Sequence, residues 1–178
     1  VGCYGNAVAK TPAVDQLAAQ GVVFENCYCN SPICAPSRAS MCSGRLPARL
    51  QNFDNGTEFP AHIPTFMHHL RHGGYETVLS GKMHFVGPDQ YHGFERRLTT
   101  DIYPSGLGWS KNWSTPITPT LKMTGHLKQA GPRPWTQQLD YDEEVHFRAL
   151  EQLRSWTGHG YGSAPERPWF FCVSYTHP

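Results

Sequence analysis

The sequence predicts an α/β fold with a mostly parallel sheet flanked by helices. Three observations lead there. Strand-like and amphipathic helical runs alternate along the chain. The helical runs stop at glycines. The run Trp169–Val173 is continuously apolar rather than alternating, the pattern of a strand buried on both faces.

The elements follow in order. "KTPAVDQLAAQG" reads as a helix: Thr11 caps, Pro12 fits the first turn, Val14, Leu17 and Ala18 share a face, and Gly21 stops it. "VVFENCYC" is β-branched and aromatic and reads as a strand, with Cys27 and Cys29 on one face as small buried residues. "NSPICAPSRASMCSGRLP" is a loop that turns into a helix near Pro36 and ends at Gly44, with Met41 and Cys42 expected to pack. "IPTFMHHLRHGG" is a further helix and "YETVLSG" the strand after it. From about Phe85 to Gln138 no period survives, and Trp109, Trp113 and Trp135 argue for an ordered, packed excursion. "LDYDEEVHFRALEQLRSWTGHG" restores a helix, with acids at its positive end, a Phe147/Leu150/Leu153 stripe and Gly158 as its stop. "RPWFFCVSYTHP" is the last strand.

At 178 residues the chain can bury one real core. It opens at Val1 rather than Met and is expected to be part of a single domain, residues 1–178, cut at both ends. Fifteen Lys and Arg against fourteen Asp and Glu leave a formal charge of +1, which suggests no nucleic-acid partner. The longest apolar run is far short of the ~20 residues of a membrane span, so no membrane role is expected. Six cysteines make neither a disulfide scaffold nor the paired spacing of a zinc ribbon. A cytoplasmic location is expected, and a homo-oligomer stays open.

Cys34 is the residue whose surroundings call for chemistry. Cysteine-dependent phosphatases need a longer loop between Cys and Arg than Ala35-Pro36-Ser37. Thiol chemistry with a separate His and Asn stays open. A helix starting beside Cys34 would put it among free amides at a positive dipole end, which favours an anion.

The spacing C-x-P-S-R, continued as "ASMCSGRLP", resembles the signature of the sulfatases. The matching residues are Cys34, Pro36, Ser37, Arg38, Ser43, Gly44 and Arg45, with Ser43 where many members carry Thr. "SGKMHFVGP" is similar to that family's Gly-Lys-x-His block and implies Lys82 and His84 in the site. "YHGFERR" fits the following block, where His92 is as readily structural as functional. The resemblance implies an alkaline-phosphatase-like sulfatase fold, of which the chain is an N-terminal-half piece. It also implies a formylglycine made from Cys34 by a maturing enzyme, and a Ca²⁺ that the modified Cys34 helps to bind. Family metal carboxylates match no position here. "GKMHFVGPDQYHGFERRLTTDIYPSGLGW", "DYDEEV" and "RPWFFCVSYTHP" look like the members that hydrolyse choline-O-sulfate. That substrate implies an aromatic partner for a quaternary ammonium, for which Trp109 leads, with plain loop packing as its bland reading. Asn55 in "FDNGTEF" is a second substrate-binding candidate. The family's leaving-group histidine would fall just after Pro178, which makes His177 its neighbour.

The roles implied are therefore these. Modified Cys34 is the nucleophile, Arg38 holds its hydrated form, Lys82 neutralises the sulfate oxygens, and His84 is the base that releases sulfate. The alternatives are another sulfatase or phosphonate monoester hydrolase, an unmodified thiol enzyme, and a non-catalytic binding domain.

Overall fold

The structure, a computed structural model, describes residues 1–103, 130–158 and 165–177. A 3₁₀ turn at Gly2–Tyr4 precedes α1, Pro12–Gln20. Thr11 stands at the head of α1 without capping it by its side chain. Its hydroxyl instead accepts from the Gly2 N–H (2.8 Å) and donates to Asp15 (3.0 Å), while the Cys3 N–H donates to the same carboxylate (2.7 Å), tying turn to helix. Val14 and Leu17 remain exposed, so the expected apolar face of α1 is uncovered by the described residues.

The expected strand over 22–29 does not form, and Cys27 and Cys29 are exposed rather than buried. β-propensity alone does not hold a strand; a ladder partner and a face to pack on are needed, and no described strand lies alongside.

Three helices follow: α2 (Cys34–Ser43), α3 (Pro47–Leu50) and α4 (Phe66–His72). α2 starts two residues before Pro36 and ends at Gly44, whose left-handed φ of 67° lets its N–H reach the Ser40 carbonyl (2.9 Å). α2 buries Ala35, Pro36, Ala39, Ser40 and Cys42. Met41, expected to pack with Cys42, is exposed instead, while Cys42 is buried.

β1 (Glu76–Gly81) is central in a sheet of order β2-β1-β3, with β2 (Arg96–Arg97) and β3 (Trp169–Ser174) both parallel to it. Val78 pairs with Phe171 and Gly81 with Ser174. α5 (Gln137–Trp156) begins at Thr136, whose hydroxyl accepts from Leu139 N–H (3.1 Å). It docks on the sheet through Ser80 Oγ, which donates to the Val145 carbonyl (3.0 Å), and through Trp156, stacked on Trp169 at 4.6 Å. Its buried face is Val145, Ala149, Gln152 and Trp156, rotated from the Phe147/Leu150/Leu153 stripe expected, and Phe147 is exposed. The Ser80 bond and the Trp pair set that rotation.

The core packs Ala39, Cys42, Leu50, Phe59, Met67, Leu79, Met83, Phe85 and Phe94 together, with Phe170 and Cys172 against them. β1 is therefore covered on both faces. β3 is not: it lies at the edge of the described sheet and stays half-exposed along its length, against expectation. Among the described residues no helix is long and apolar enough to cross a membrane.

Candidate active site

The C-terminal ends of parallel β1 and β3, where ligands of open α/β sheets gather, meet the N-terminus of α2. Cys34 is the first residue of α2 and half-buried. Ile33 before it offers no side-chain cap. The cap comes from elsewhere in the chain: Asn55 Oδ1 accepts from the Ala35 N–H at 3.0 Å and lies 3.5 Å from Cys34 Sγ. Asn55 is carried by a tight turn in which Asp54 Oδ1 accepts from Gly56 N–H and Thr57 Oγ1.

Lys82 and His84 follow β1 directly and are both buried. Gly81 permits their approach: at φ 114° a Cβ there would stand 2.0 Å from the Ser174 carbonyl oxygen. Lys82 N–H donates to that same oxygen (2.9 Å). Tyr103 lies over the pair, its ring centroid 4.5 Å from Lys82 Nζ and 5.0 Å from the His84 ring. The Cys34 thiol is pulled down to about 7, first by its hydrogen bond with His84. Burial acts the other way; the charges of Lys82 and His84 and the Asn55 contact lower it further. Cys42, two turns along α2, is pushed up to about 12 by burial and then by Cys172. One helix thus carries an activated thiol and an inert one.

Cys34, Asn55, Lys82 and His84, far apart in the chain, come together. Arg38 takes a linking position, with Nη1 donating to the Lys82 carbonyl and Ser174 Oγ. Trp109 lies outside the described residues. His177 is held by Asp142, which accepts from its N–H and faces its Nδ1, both at 3.0 Å. Sequence reasoning missed Tyr103, Asp101 and Ser174. Tyr103 and Asp101 stand in "TTDIYP", where only adjacency to the Lys-x-His block could have flagged them, since an aperiodic loop carries no spacing signal.

Among the described residues no group of three or more His, Cys, Asp or Glu side chains could hold a metal ion. A hard cation such as Ca²⁺ takes six to eight oxygens. These residues alone do not build its site.

The family model described as Sulfatase matches residues 1–178. The chain is 46% identical over 170 residues to a choline-sulfatase of Rhizobium meliloti (strain 1021), covering 94% of this chain and 33% of that protein. It superposes on the structure of a 2-O GAG sulfatase with TM-score 0.64 and 23% identity, over 100% of this chain and 32% of that one. A phosphonate monoester hydrolase of Agrobacterium radiobacter shares the fold at TM-score 0.61 and 20% identity, over 98% and 37% of the two chains. The chain thus spans about a third of the length of the choline-sulfatase it matches. The Cys34 and Lys82–His84 segments join at one end of a parallel sheet, and with the Sulfatase family model matching residues 1–178 the chain belongs to the sulfatase family.

Proposed function

We propose that the protein to which this chain belongs hydrolyses an alkyl sulfate ester, choline-O-sulfate, using Cys34 after its conversion to formylglycine. The observation that carries this is the placement of Cys34 at the head of α2 with Asn55, Lys82 and His84 around it. The Cβ of Cys34 would become the formyl carbon, and its Sγ stands where the formyl oxygen would be. Converted, Cys34 would supply a hydrated aldehyde; one hydroxyl would give up its proton and attack sulfur, and the S–O bond to choline would break, the choline oxygen taking up a proton as it leaves. Lys82, a buried ammonium, neutralises the sulfate oxygens. The α2 N-terminus adds to that field. His84 takes the proton from the remaining hydroxyl as sulfate departs. Asn55 uses its Oδ1 on Ala35, which leaves its amide N–H groups to donate to the substrate.

Choline-O-sulfate is supported by the 46% identity to a choline-sulfatase. A quaternary ammonium offers no hydrogen bond and is met by aromatic faces. Tyr103 already stands over Lys82, and Trp109 follows it in the sequence.

The experiment is the mass of the Cys34 peptide from the active full-length protein. A loss of about 18 Da, thiol to aldehyde, is expected. An unmodified Cys34 in an active preparation refutes the mechanism. If that activity is also abolished by alkylation and indifferent to chelators, the thiol enzyme takes its place. Comparing choline-O-sulfate with an aryl sulfate then tests the substrate: Trp109→Ala raises KM for the former by about tenfold more, from one lost cation–π contact.

A further inference from the structure

We propose that Asp101 is the positioning residue of this site, the group that fixes the Lys82–His84 segment beside Cys34. This rests on Lys82 and His84 being working groups, as proposed above.

Beyond Gly81 the chain leaves the sheet and turns sharply. His84 adopts φ 52°, a left-handed conformation that a residue with a Cβ adopts only when its surroundings hold it there. Asp101 supplies the hold. Its Oδ2 accepts from the Met83 N–H at 2.8 Å and from the His84 N–H at 2.7 Å. The carboxylate is buried and is balanced by Arg97, equally buried, whose Nη2 stands 3.3 Å from the same oxygen.

Arg97 completes a ring around the segment. Its Nη1 donates to the Gln90 carbonyl (2.8 Å), and Gln90 Nε2 donates to the carbonyls of Phe85 and Gly87, both at 2.8 Å. Amides at 83 and 84 and carbonyls at 85 and 87 are thus gripped by one connected network. Asp101 Oδ1 also accepts from the Tyr103 N–H (3.3 Å), which places the aromatic ring over Lys82. One carboxylate therefore holds the Met83 and His84 amides and that of Tyr103, whose ring lies over Lys82. Losing it orphans two amides and leaves the Arg97 guanidinium buried without its counter-charge.

The test compares Asp101→Ala and Asp101→Asn in the full-length protein, reading kcat and KM for choline-O-sulfate and amide hydrogen exchange over 82–87. Asp101→Ala lowers kcat about 100-fold, the scale of an ångström-sized misplacement, with KM within about threefold. The Met83 and His84 amides exchange at least about tenfold faster, while those of β1 and α5 keep their rates. Asp101→Asn, which retains an oxygen for both amides, recovers kcat to within about tenfold of the parent and restores slow exchange. Wild-type kcat in Asp101→Ala overturns the proposal. So does exchange that rises uniformly across the protein, or a loss that Asp101→Asn does not recover. Should the parent turn over no sulfate ester, the proposed function fails, and exchange at Met83 and His84 still decides the role of Asp101.

Discussion

Arg38 and Lys82 are joined side chain to main chain: Arg38 Nη1 donates to the Lys82 carbonyl at 2.8 Å, and the same nitrogen donates to Ser174 Oγ at 2.9 Å. One guanidinium therefore stitches α2 to the ends of β1 and β3, the three elements that make the site. A lysine ammonium, a compact charge on a flexible stem, lacks the rigid plane that aims this nitrogen at both acceptors.

Arg38→Lys is expected to lower kcat/KM by about 10- to 100-fold, because the Lys82 segment loses its tie to the helix carrying Cys34. Arg38→Ala costs about 1.5–3 kcal/mol of stability from the lost charge-assisted bonds, and Ser174→Ala less, about 1 kcal/mol. Denaturant midpoints alongside steady-state kinetics check the order; equal effects of Arg38→Ala and Ser174→Ala would contradict it.

Full-length protein produced without conversion of Cys34 should show two different thiols on α2. Cys34, near 7, reacts with iodoacetamide at neutral pH, its rate rising with pH through about 7 and levelling above it. Cys42, near 12 and buried, stays unlabelled at pH 8. Peptide mapping after timed alkylation separates them. A Cys34 profile centred near 9 would mean that His84 and Lys82 do not act on it.

Gly81→Ala should be among the most damaging small substitutions in the chain. It meets the Ser174 carbonyl at 2.0 Å and a φ of 114° together, a cost of at least about 3 kcal/mol when strain and clash combine. Gly44→Ala is the control: φ is 67° but nothing lies within 4 Å, so about 1 kcal/mol is expected. Thermal melts of the two variants should differ accordingly.

His92 sits fully buried, its ring stacked on Phe59 at 4.1 Å and edge-on to Phe85 at 4.5 Å. Burial pulls it down to about 4, with the Asp89 charge opposing and His68 adding. Above about 6.5 neither folded nor unfolded His92 binds the proton, and the full stability is present. As pH falls from 6.5 toward 4 the unfolded chain gains a proton that the folded one refuses, and about 3 kcal/mol is lost. His92→Phe, which keeps the ring stack, should flatten the melting temperature against pH over that window. An unchanged slope would place the acid sensitivity elsewhere.

The elements legible in the sequence were those with local causes. α2 and α4 follow from runs without breakers closed by Gly44 and Gly73, α5 from its apolar period, and β1 from its strand-like run between glycines. The Cys34–Arg45 and Lys82–His84 blocks were equally legible, since a spacing is a property of the chain. The segment 22–29 and the exposure of β3 were not, because a strand is completed by a neighbour and its propensity does not say which neighbour is there.

The sequence by itself thus determined α1, α2, α4 and α5, the central strand, the family and the candidate nucleophile, but not the short α3. Only the tertiary structure decided that Asn55 caps the helix of Cys34, that Arg38 ties that helix to Lys82 and Ser174, and that Asp101 grips the backbone beside His84. The physical reason is that each of these is a hydrogen bond across 17 to 136 positions of chain, made or lost by ångström-scale approach. Residue type and period do not encode that approach; the packed sheet ends do.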